Sequence, residues 1–166
     1  MKIFYWAPFL SKIATVSSVI RSINIIKKYH GEKVEISIID AVGEWESVNE
    51  KITDIKVIKL YKKNLYNSLP KKGILSSRFT QIFIFCFSFF KLLKILNHQK
   101  PDYLVAHLIV SLPLMLMTFV KSKTKLVLRI SGLPKLNFLR KKFWNLYSNN
   151  VFKVTSPTDA TYEKLK

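Results

Sequence analysis

A histidine and an arginine end two predicted strands, at the edge where a parallel sheet binds its ligands. His107 follows the apolar run 103–106, and Arg129 lies near the end of the run 125–130. An imidazole changes its charge near neutral pH, so His107 could transfer a proton or bind a substrate hydroxyl group. A histidine that is merely hydrogen-bonded at the edge of the core would give the same pattern. The residues alone leave both interpretations open.

A serine–glycine turn follows Arg129 and could bind an anion. Ser131 and Gly132 precede a predicted helix, and Arg129 and Lys135 flank them. Backbone N–H groups at such a turn, with two cations nearby, can hold a phosphate or a carboxylate. An ordinary strand-to-helix turn with solvated charges would explain the same residues equally well.

The connections after the first two predicted strands supply further candidates for substrate binding. These candidates are Pro8, Phe9, Ser11, Lys12, Glu44 and Trp45. Glu44 could hydrogen-bond a sugar and Trp45 could stack on its ring, although a tryptophan here could equally anchor the core. The first connection has no glycine cluster, so the dinucleotide fingerprint is absent and a conventional NAD or FAD site is not expected.

Strands that alternate with helices must position these candidates. This order predicts an α/β fold: a Rossmann-like parallel sheet with helices on both faces and ligands beyond the carboxyl ends of its strands. The third strand, which alternates apolar residues with lysine, is predicted to be an edge strand. Strands are predicted at 2–6, 33–40, 55–60, 103–106, 125–130 and 151–155, and helices at 13–29, 77–97, 111–120, 136–147 and from 156 onward.

The composition indicates one basic, folded domain. The chain has 166 residues, of which 49% are hydrophobic, and this excludes intrinsic disorder. The net charge is +18, and nearly all of it lies between residues 51 and 142. Such a field favours an anionic partner, although a lysine-rich genome would also raise the charge. The single cysteine, Cys86, excludes a disulfide framework, and its apolar surroundings predict a small buried side chain rather than a nucleophile.

The predicted helix 77–97 is apolar almost all round and suggests either a buried core helix or an interfacial helix. Its uninterrupted apolar part is too short to span a bilayer. The uncharged stretch 103–120 is long enough, but its strand-like start and Pro113 predict a strand followed by a short buried helix. Cations that could attract an anionic leaflet precede or begin the apolar helix: Lys62, Lys63, Lys71, Lys72 and Arg78.

Four segments carry a resemblance to a known family when they are taken in order. They are YWAPFLSKIAT at 5–15, IIDAVGEW at 38–45, KPD followed by His107 at 100–107, and LRISGLPK at 128–135. Together they resemble the N-terminal domain of family 4 glycosyltransferases of the GT-B fold, which act in bacterial surface-polysaccharide assembly. The resemblance covers the whole chain.

The resemblance implies a role for each segment. It places His107 at the transferred sugar as a catalytic residue, the loop 8–12 by the donor phosphates, and Glu44 and Trp45 near the acceptor cleft. It implies a nucleotide-sugar co-substrate with no cofactor or metal. The acceptor would be lipid-linked or a polysaccharide, and the enzyme would lie in the cytoplasm on the inner face of the cell membrane. Residues 1–166 would form the acceptor-side domain alone, and without the C-terminal nucleotide-sugar domain the fragment is expected to be inactive.

Two other functions are weighed against this one. The chain could be a non-catalytic module, or a truncated subunit, that docks on a separate donor-binding chain. Nucleic-acid binding by the basic region is disfavoured, because no recognised motif is present and few aromatic residues interleave the loop cations.

Overall fold

Six parallel strands form one sheet in the order β3-β2-β1-β4-β5-β6. The computed structural model describes residues 1–10, 14–52, 55–71, 73–130, 132, 137–158, 161 and 163. The strands are β1 (Lys2–Trp6), β2 (Glu35–Asp40), β3 (Lys56–Lys59), β4 (Tyr103–Ala106), β5 (Lys125–Arg129) and β6 (Val151–Thr155). The helices are α1 (Ala14–His30), α2 (Ile74–Gln99), α3 (Ser111–Leu116) and α4 (Phe138–Tyr147), and 3-10 segments lie at Gly31–Lys33, Glu44–Lys51, Tyr66–Ser68 and Ser148–Asn150.

This architecture confirms the predicted α/β, Rossmann-like fold, with β3 at one edge of the sheet. The strand order reverses between β1 and β4, which are neighbours although α1, β2, β3 and α2 separate them in the chain. In parallel sheets a crevice for ligands opens at such a reversal, outside the carboxyl ends of the strands. The residues that follow β1 and β4 are therefore the ones best placed to act on a ligand.

Helices lie on opposite faces of the sheet because successive strand residues point to opposite faces. The Tyr5 hydroxyl is 2.8 Å from Ser22 Oγ of α1, which places α1 on the Tyr5 face. Trp6, the next residue, donates from Nε1 to the Ile109 carbonyl at 3.4 Å, which places the start of α3 on the other face. α2 contacts α3 and so shares that second face.

Element boundaries follow the predictions except where local backbone geometry intervenes. α3 ends at Leu116, whereas a helix to residue 120 was expected, and turn hydrogen bonds follow it, such as Phe119 N–H to the Leu116 carbonyl at 2.8 Å. α2 is longer than predicted: it starts after Gly73, which has φ +92°, and ends at Gln99, before Lys100 in the left-handed conformation. The segment 103–120 forms a strand and a short buried helix, as predicted.

α2 buries one narrow face and leaves an apolar face in solvent. The buried face repeats every four residues and consists of Thr80, Ile84, Ser88, Leu92 and Leu96. On the opposite side lies what we term the apolar stripe, which consists of Leu75, Phe79, Ile82, Cys86 and Phe90. The prediction of a buried Cys86 is therefore wrong. A helix that is apolar all round gives no periodic signal of which face packs on the sheet, and Cys86 lies on the outer one.

Length and composition would allow α2 to cross a membrane. Residues Leu75–Gln99 have a mean hydropathy of 1.7 over their most apolar window, and only 28% of that window is buried. The expectation that the helix is too short counted only its uninterrupted apolar part. One such helix is weak evidence for a span, because a core helix can have the same properties. Its low burial nevertheless distinguishes α2 from a helix enclosed in a protein core.

Candidate functional site

His107 lies at the reversal of strand order and has a buried imidazole without a hydrogen-bond partner. Its backbone N–H donates to the Trp6 carbonyl at 2.9 Å, which continues the β1–β4 ladder by one residue. The side chain is 6% exposed, and neither Nδ1 nor Nε2 has a partner among the described residues. A buried polar group without a partner costs roughly 1–3 kcal/mol, and a hydroxyl group that bonded either nitrogen would remove this cost.

Burial keeps His107 neutral. Loss of solvent, and to a lesser extent the positive charge of Arg129, lower the pKa of the imidazole from 6.5 to about 4. At neutral pH the ring therefore carries one N–H donor and one bare nitrogen acceptor. It can donate a hydrogen bond to one oxygen of a sugar and accept one from a hydroxyl group, without bringing a charge into the site.

Tyr5 and Arg129 complete this group on the same face of the sheet. The Tyr5 and His107 ring centroids are 5.8 Å apart. Burial raises the pKa of the Tyr5 hydroxyl, while the bond to Ser22 and the charge of Arg129 oppose the rise. Arg129 also lines a groove of about 390 Å³ along α1, together with Arg21. Tyr5 escaped the sequence analysis because it looks like any apolar strand residue, but its place as the last residue but one of β1 is a usable signal.

The loop after β1 is built into the core rather than exposed. Pro8 and Phe9 are buried. The Phe9 ring packs edge-on against Trp45 at 5.2 Å and against Tyr66 at 6.0 Å between centroids. Ser11 and Lys12 lie outside the described residues, so their predicted contact with donor phosphates stays a prediction. The side chain of Phe9 thus anchors the loop to the core through Trp45 and Tyr66.

Glu44 and Trp45 are core residues in this structure. Both side chains are fully buried, so neither offers side-chain surface to an acceptor, and the alternative weighed for Trp45, a core anchor, describes its position. Glu44 accepts hydrogen bonds from the backbone N–H groups of Ala41 at 3.1 Å and Val42 at 2.8 Å. The sequence suggested ligand contacts because a polar connection after a strand looks exposed, whereas here the backbone folds around the carboxylate.

A second buried carboxylate lies beside the first. Asp40 ends β2 and accepts from the Gly43 N–H at 2.7 Å. Burial raises the pKa of Glu44 well above its ordinary value, and the neighbouring Asp40 raises it further. Burial and the neighbouring carboxylate thus favour the protonated form of Glu44, and the hydrogen bonds of the two side chains fix the turn 41–43. An aspartate at the end of a buried strand, four residues before a glutamate, was the available signal for this network.

The predicted anion turn is described only in part. Gly132 is exposed and Arg129 is half-buried, whereas Ser131 and Lys135 lie outside the described residues. At the start of α4, the Asn137 side chain accepts from the Arg140 N–H at 2.9 Å and so caps the helix. The anion site at this turn stays a prediction.

The predicted membrane-contact cations lie beside α2. Tyr61 donates from its hydroxyl to the Phe87 carbonyl at 2.7 Å, which holds Lys62 and Lys63 next to the helix, and both lysines are exposed. Arg78 is exposed on α2 itself, and Lys71 lies 3.5 Å from the centroid of the Tyr66 ring. Lys72 lies outside the described residues. The sequence contains no Asp or Glu from residue 55 to residue 101, so this surface has no acidic counterpart in its own segment.

Metal binding finds no support in the described part of the chain. Among those residues, no three His, Cys, Asp or Glu side chains gather in a way that could hold a metal ion.

Solved structures with the same fold are glycosyltransferases and sugar-nucleotide epimerases of the GT-B fold. No known protein family matches the sequence, and no curated protein matches it. The UDP-GlcNAc 2-epimerase from Neisseria meningitidis, solved with UDP-GlcNAc bound, superimposes with a TM-score of 0.64 at 14% identity, over 99% of this chain and 43% of the epimerase. MurG from Acinetobacter baumannii gives 0.58 at 9% identity, over 97% of this chain and 43% of MurG. The glycosyltransferase SnogD from Streptomyces nogalater gives 0.52 at 12% identity, over 94% and 44%.

At these identities the likeness establishes the fold and nothing finer. The chain spans less than half the length of the solved structures that it matches.

Proposed function

We propose that this chain is the acceptor-side domain of a membrane-associated glycosyltransferase of the family 4 type. The whole enzyme would transfer a sugar from a nucleotide-sugar to a lipid-linked or polysaccharide acceptor in cell-surface polysaccharide biosynthesis. The observation that carries the proposal is His107: a buried, neutral imidazole with two unpartnered nitrogens, at the point of the sheet where ligands bind.

The proposed reaction assigns His107 and Arg129 distinct roles. In the transfer, the bond from the anomeric carbon to the diphosphate breaks, a bond to an acceptor hydroxyl oxygen forms, and the proton of that hydroxyl group passes to the departing diphosphate. Neutral His107 would bind hydroxyl groups of the transferred sugar and fix its orientation. Arg129, whose charge already acts on His107 and Tyr5, would stabilise negative charge that develops on the departing diphosphate. Stabilisation of developing charge is usually the largest contribution to catalysis.

A second domain would supply the rest of the donor site. The matched structures extend well beyond the portion that this chain covers, and one of them was solved with a nucleotide-sugar. The partner domain could lie in the same polypeptide or in a separate chain. In either case the carboxyl edge of the sheet, with His107, would face it across the cleft.

The surface of α2 supports a location at the membrane. The apolar stripe is exposed, and the cations held next to α2 have no acidic residue in their own segment. Insertion of aromatic side chains, together with attraction to anionic lipids at about 1 kcal/mol per cation, would hold the domain on the inner face of the cell membrane. Binding of this kind would bring the acceptor cleft close to lipid-linked substrates.

Sugar transfer by the polypeptide that carries this domain, or by the domain with its donor-binding partner, tests the proposal. The assay measures nucleoside diphosphate released from a panel of nucleotide-sugars when membranes of the source cell provide the acceptor. We expect His107→Gln to lower the turnover at least tenfold without loss of folding. His98→Gln, at the exposed end of α2, is the matched control and should leave turnover unchanged.

The same assay separates the proposal from its main alternative. If no nucleotide-sugar is consumed by the complete polypeptide or complex, or if His107→Gln is as active as the unmodified protein, the transferase role is wrong. A stable complex with a donor-binding chain that is itself active without this domain would instead indicate a non-catalytic module.

A further inference from the structure

A groove lies between α2, α3 and α4 on the sheet face opposite α1. It consists of two adjoining cavities of about 370 Å³ and about 490 Å³, and both are lined by Ile109, Ser111 and Arg140. Each volume falls within the range of roughly 300–1,000 Å³ that is typical of small-molecule sites. We refer to these two cavities together as the α2–α4 groove.

The groove combines an apolar floor with cationic side chains. Side chains from α2 and α4 form the floor: Ile82, Phe85, Leu139, Phe143 and Trp144. Two cationic residues, Arg78 and Arg140, also line the groove, together with the polar residues Gln81 and Ser111. No carboxylate is among the described residues that line either cavity. A ligand that matches this lining has an apolar chain and an anionic head.

The position of the groove connects the membrane-facing surface with the candidate catalytic edge. Ile82 belongs to the apolar stripe and also lines the groove. At the other end, Ile109 lies two residues after His107, and its carbonyl accepts from Trp6 Nε1. A molecule anchored in the bilayer could thus reach from the stripe to the edge of the sheet along a continuous surface.

The backbone at Ile109 is strained, which is consistent with a functional wall. Ile109 has φ +48°, in the left-handed region that a β-branched residue rarely adopts. Such strain costs on the order of 1–3 kcal/mol and persists where the surrounding structure enforces it, commonly at ligand sites. Here the conformation places the Ile109 side chain in the wall that the two cavities share.

We propose that the α2–α4 groove binds a lipid phosphate: a single apolar chain on the floor and a phosphate or diphosphate between Arg78 and Arg140. This inference rests on the proposed function and narrows its acceptor to a lipid-linked molecule. Guanidinium groups pair with phosphate oxygens in a two-point geometry, and such charge-assisted bonds are roughly twice as strong as neutral ones. The apolar lining distinguishes this ligand from free phosphate, because an inorganic anion has no chain to bury against it.

Binding of farnesyl phosphate in solution, at concentrations below micelle formation, tests the groove without a membrane and without sugar transfer. Trp144 lines the groove whereas Trp6 and Trp45 are fully buried, so tryptophan fluorescence reports on it directly. We expect saturable binding of farnesyl phosphate, at least tenfold weaker binding of farnesol, and no binding of inorganic phosphate at the same concentrations. Arg140→Gln and Arg78→Gln should each weaken binding of farnesyl phosphate about tenfold.

Two further variants make the result specific. Leu139→Glu places a carboxylate on an exposed position in the groove and should weaken binding of farnesyl phosphate at least as much as the arginine variants. Arg21→Gln, which removes a guanidinium on α1 at the opposite face, should leave binding unchanged. Folding of every variant is checked by circular dichroism.

The outcomes separate this inference from the proposed function. No saturable binding of farnesyl phosphate, equal binding of farnesol, or full binding by Arg140→Gln would overturn the groove assignment while sugar transfer and its dependence on His107 remained. Conversely, the protein could bind farnesyl phosphate in a way that depends on Arg78 and Arg140 but transfer no sugar. That outcome would support the groove assignment and overturn the transferase role.

Discussion

The two connections on either side of the edge strand β3 differ in which side chains they bury. Between β2 and β3, the chain buries the carboxylate of Glu44 next to Asp40. Between β3 and β4, it leaves the aromatic rings of Phe79 and Phe90 at 63% and 77% exposure. Each connection thus reverses the usual distribution of charged and apolar groups, and each reversal has a different cause.

In the first connection, three of the four carboxyl oxygens of Glu44 and Asp40 accept hydrogen bonds from within the chain. Backbone N–H groups of Ala41 and Val42 satisfy Glu44, and the Gly43 N–H satisfies one oxygen of Asp40. In the second connection nothing in the described structure covers the apolar stripe. A group that is internally satisfied indicates a structural role, whereas a contiguous exposed apolar surface indicates a partner. The comparison therefore indicates a structural role for the first connection and a role in binding a partner for the second.

The largest expected effect comes from placing charge in the apolar stripe. Phe79→Glu with Phe90→Glu should reduce binding to vesicles of anionic phospholipid at least a hundredfold, since burying one such ring contributes about 1.5–3 kcal/mol. Flotation with vesicles measures the effect. Tyr29→Glu, at a ring on α1 that is 76% exposed, is the control and should bind as the unmodified chain does. Equal binding by the double variant would mean that the stripe does not face a membrane.

The sequence predicted the fold well because strands and turns have local signals. Alternation of strands with helices, proline at residue 101 and β-branched runs sufficed to place β1, β4 and β6 at their observed boundaries. The edge position of β3 followed from the two lysines, Lys56 and Lys59, in its otherwise apolar run. These features depend on residues close together in the chain, so the hydrophobic periodicity of the sequence reveals them directly.

The burial of a side chain could be predicted only where apolar and polar residues alternate with the period of the helix or strand. α2 is apolar all round, so its sequence did not reveal that Cys86 lies outward, and the buried face contains the polar Thr80 and Ser88. Glu44 was predicted to contact a ligand because a charged residue in a loop is usually exposed. Its burial depends on backbone N–H groups that point towards its carboxylate, and the residue types do not reveal this. His107 was identified from its position at the end of a strand, but its unpartnered nitrogens and lowered pKa depend on packing from several elements.

A smaller effect, on stability, is expected from Gly43→Ala. Gly43 has φ +97°, and a Cβ there would lie 2.5 Å from Cγ of Asn64, whose Nδ2 donates to the Gly43 carbonyl. Strain and the clash should together lower the free energy of unfolding by about 2–4 kcal/mol. Urea denaturation measures the loss. Gly31→Ala is the control: φ is +54° and no atom lies within 4 Å of the added Cβ, so about 1 kcal/mol is expected.

The smallest effect concerns the pH dependence of the buried carboxylate pair. Because burial and Asp40 raise the pKa of Glu44, the folded chain keeps a proton that the unfolded chain releases above about pH 4.5. The contribution of Glu44 to stability is therefore complete below that pH and decreases as the pH rises towards the folded-state pKa, by about 1.4 kcal/mol per pH unit. Glu44→Gln removes the titration, so the unmodified chain should lose stability relative to the variant as the pH increases.

Glu46 provides a comparison of opposite sign within the same connection. Its pKa is lowered by hydrogen bonds from Lys59 and Asn64, so its contribution is present above about pH 4.5 and is lost as the pH falls. Glu46→Gln should therefore diverge from the unmodified chain as the pH increases from acid to neutral, although weakly because this carboxylate is partly solvated. If Glu44→Gln diverged in the same direction as Glu46→Gln, Glu44 would be ionised in the folded chain. The first connection would then bury a true charge, and the contrast with the apolar stripe would need another explanation.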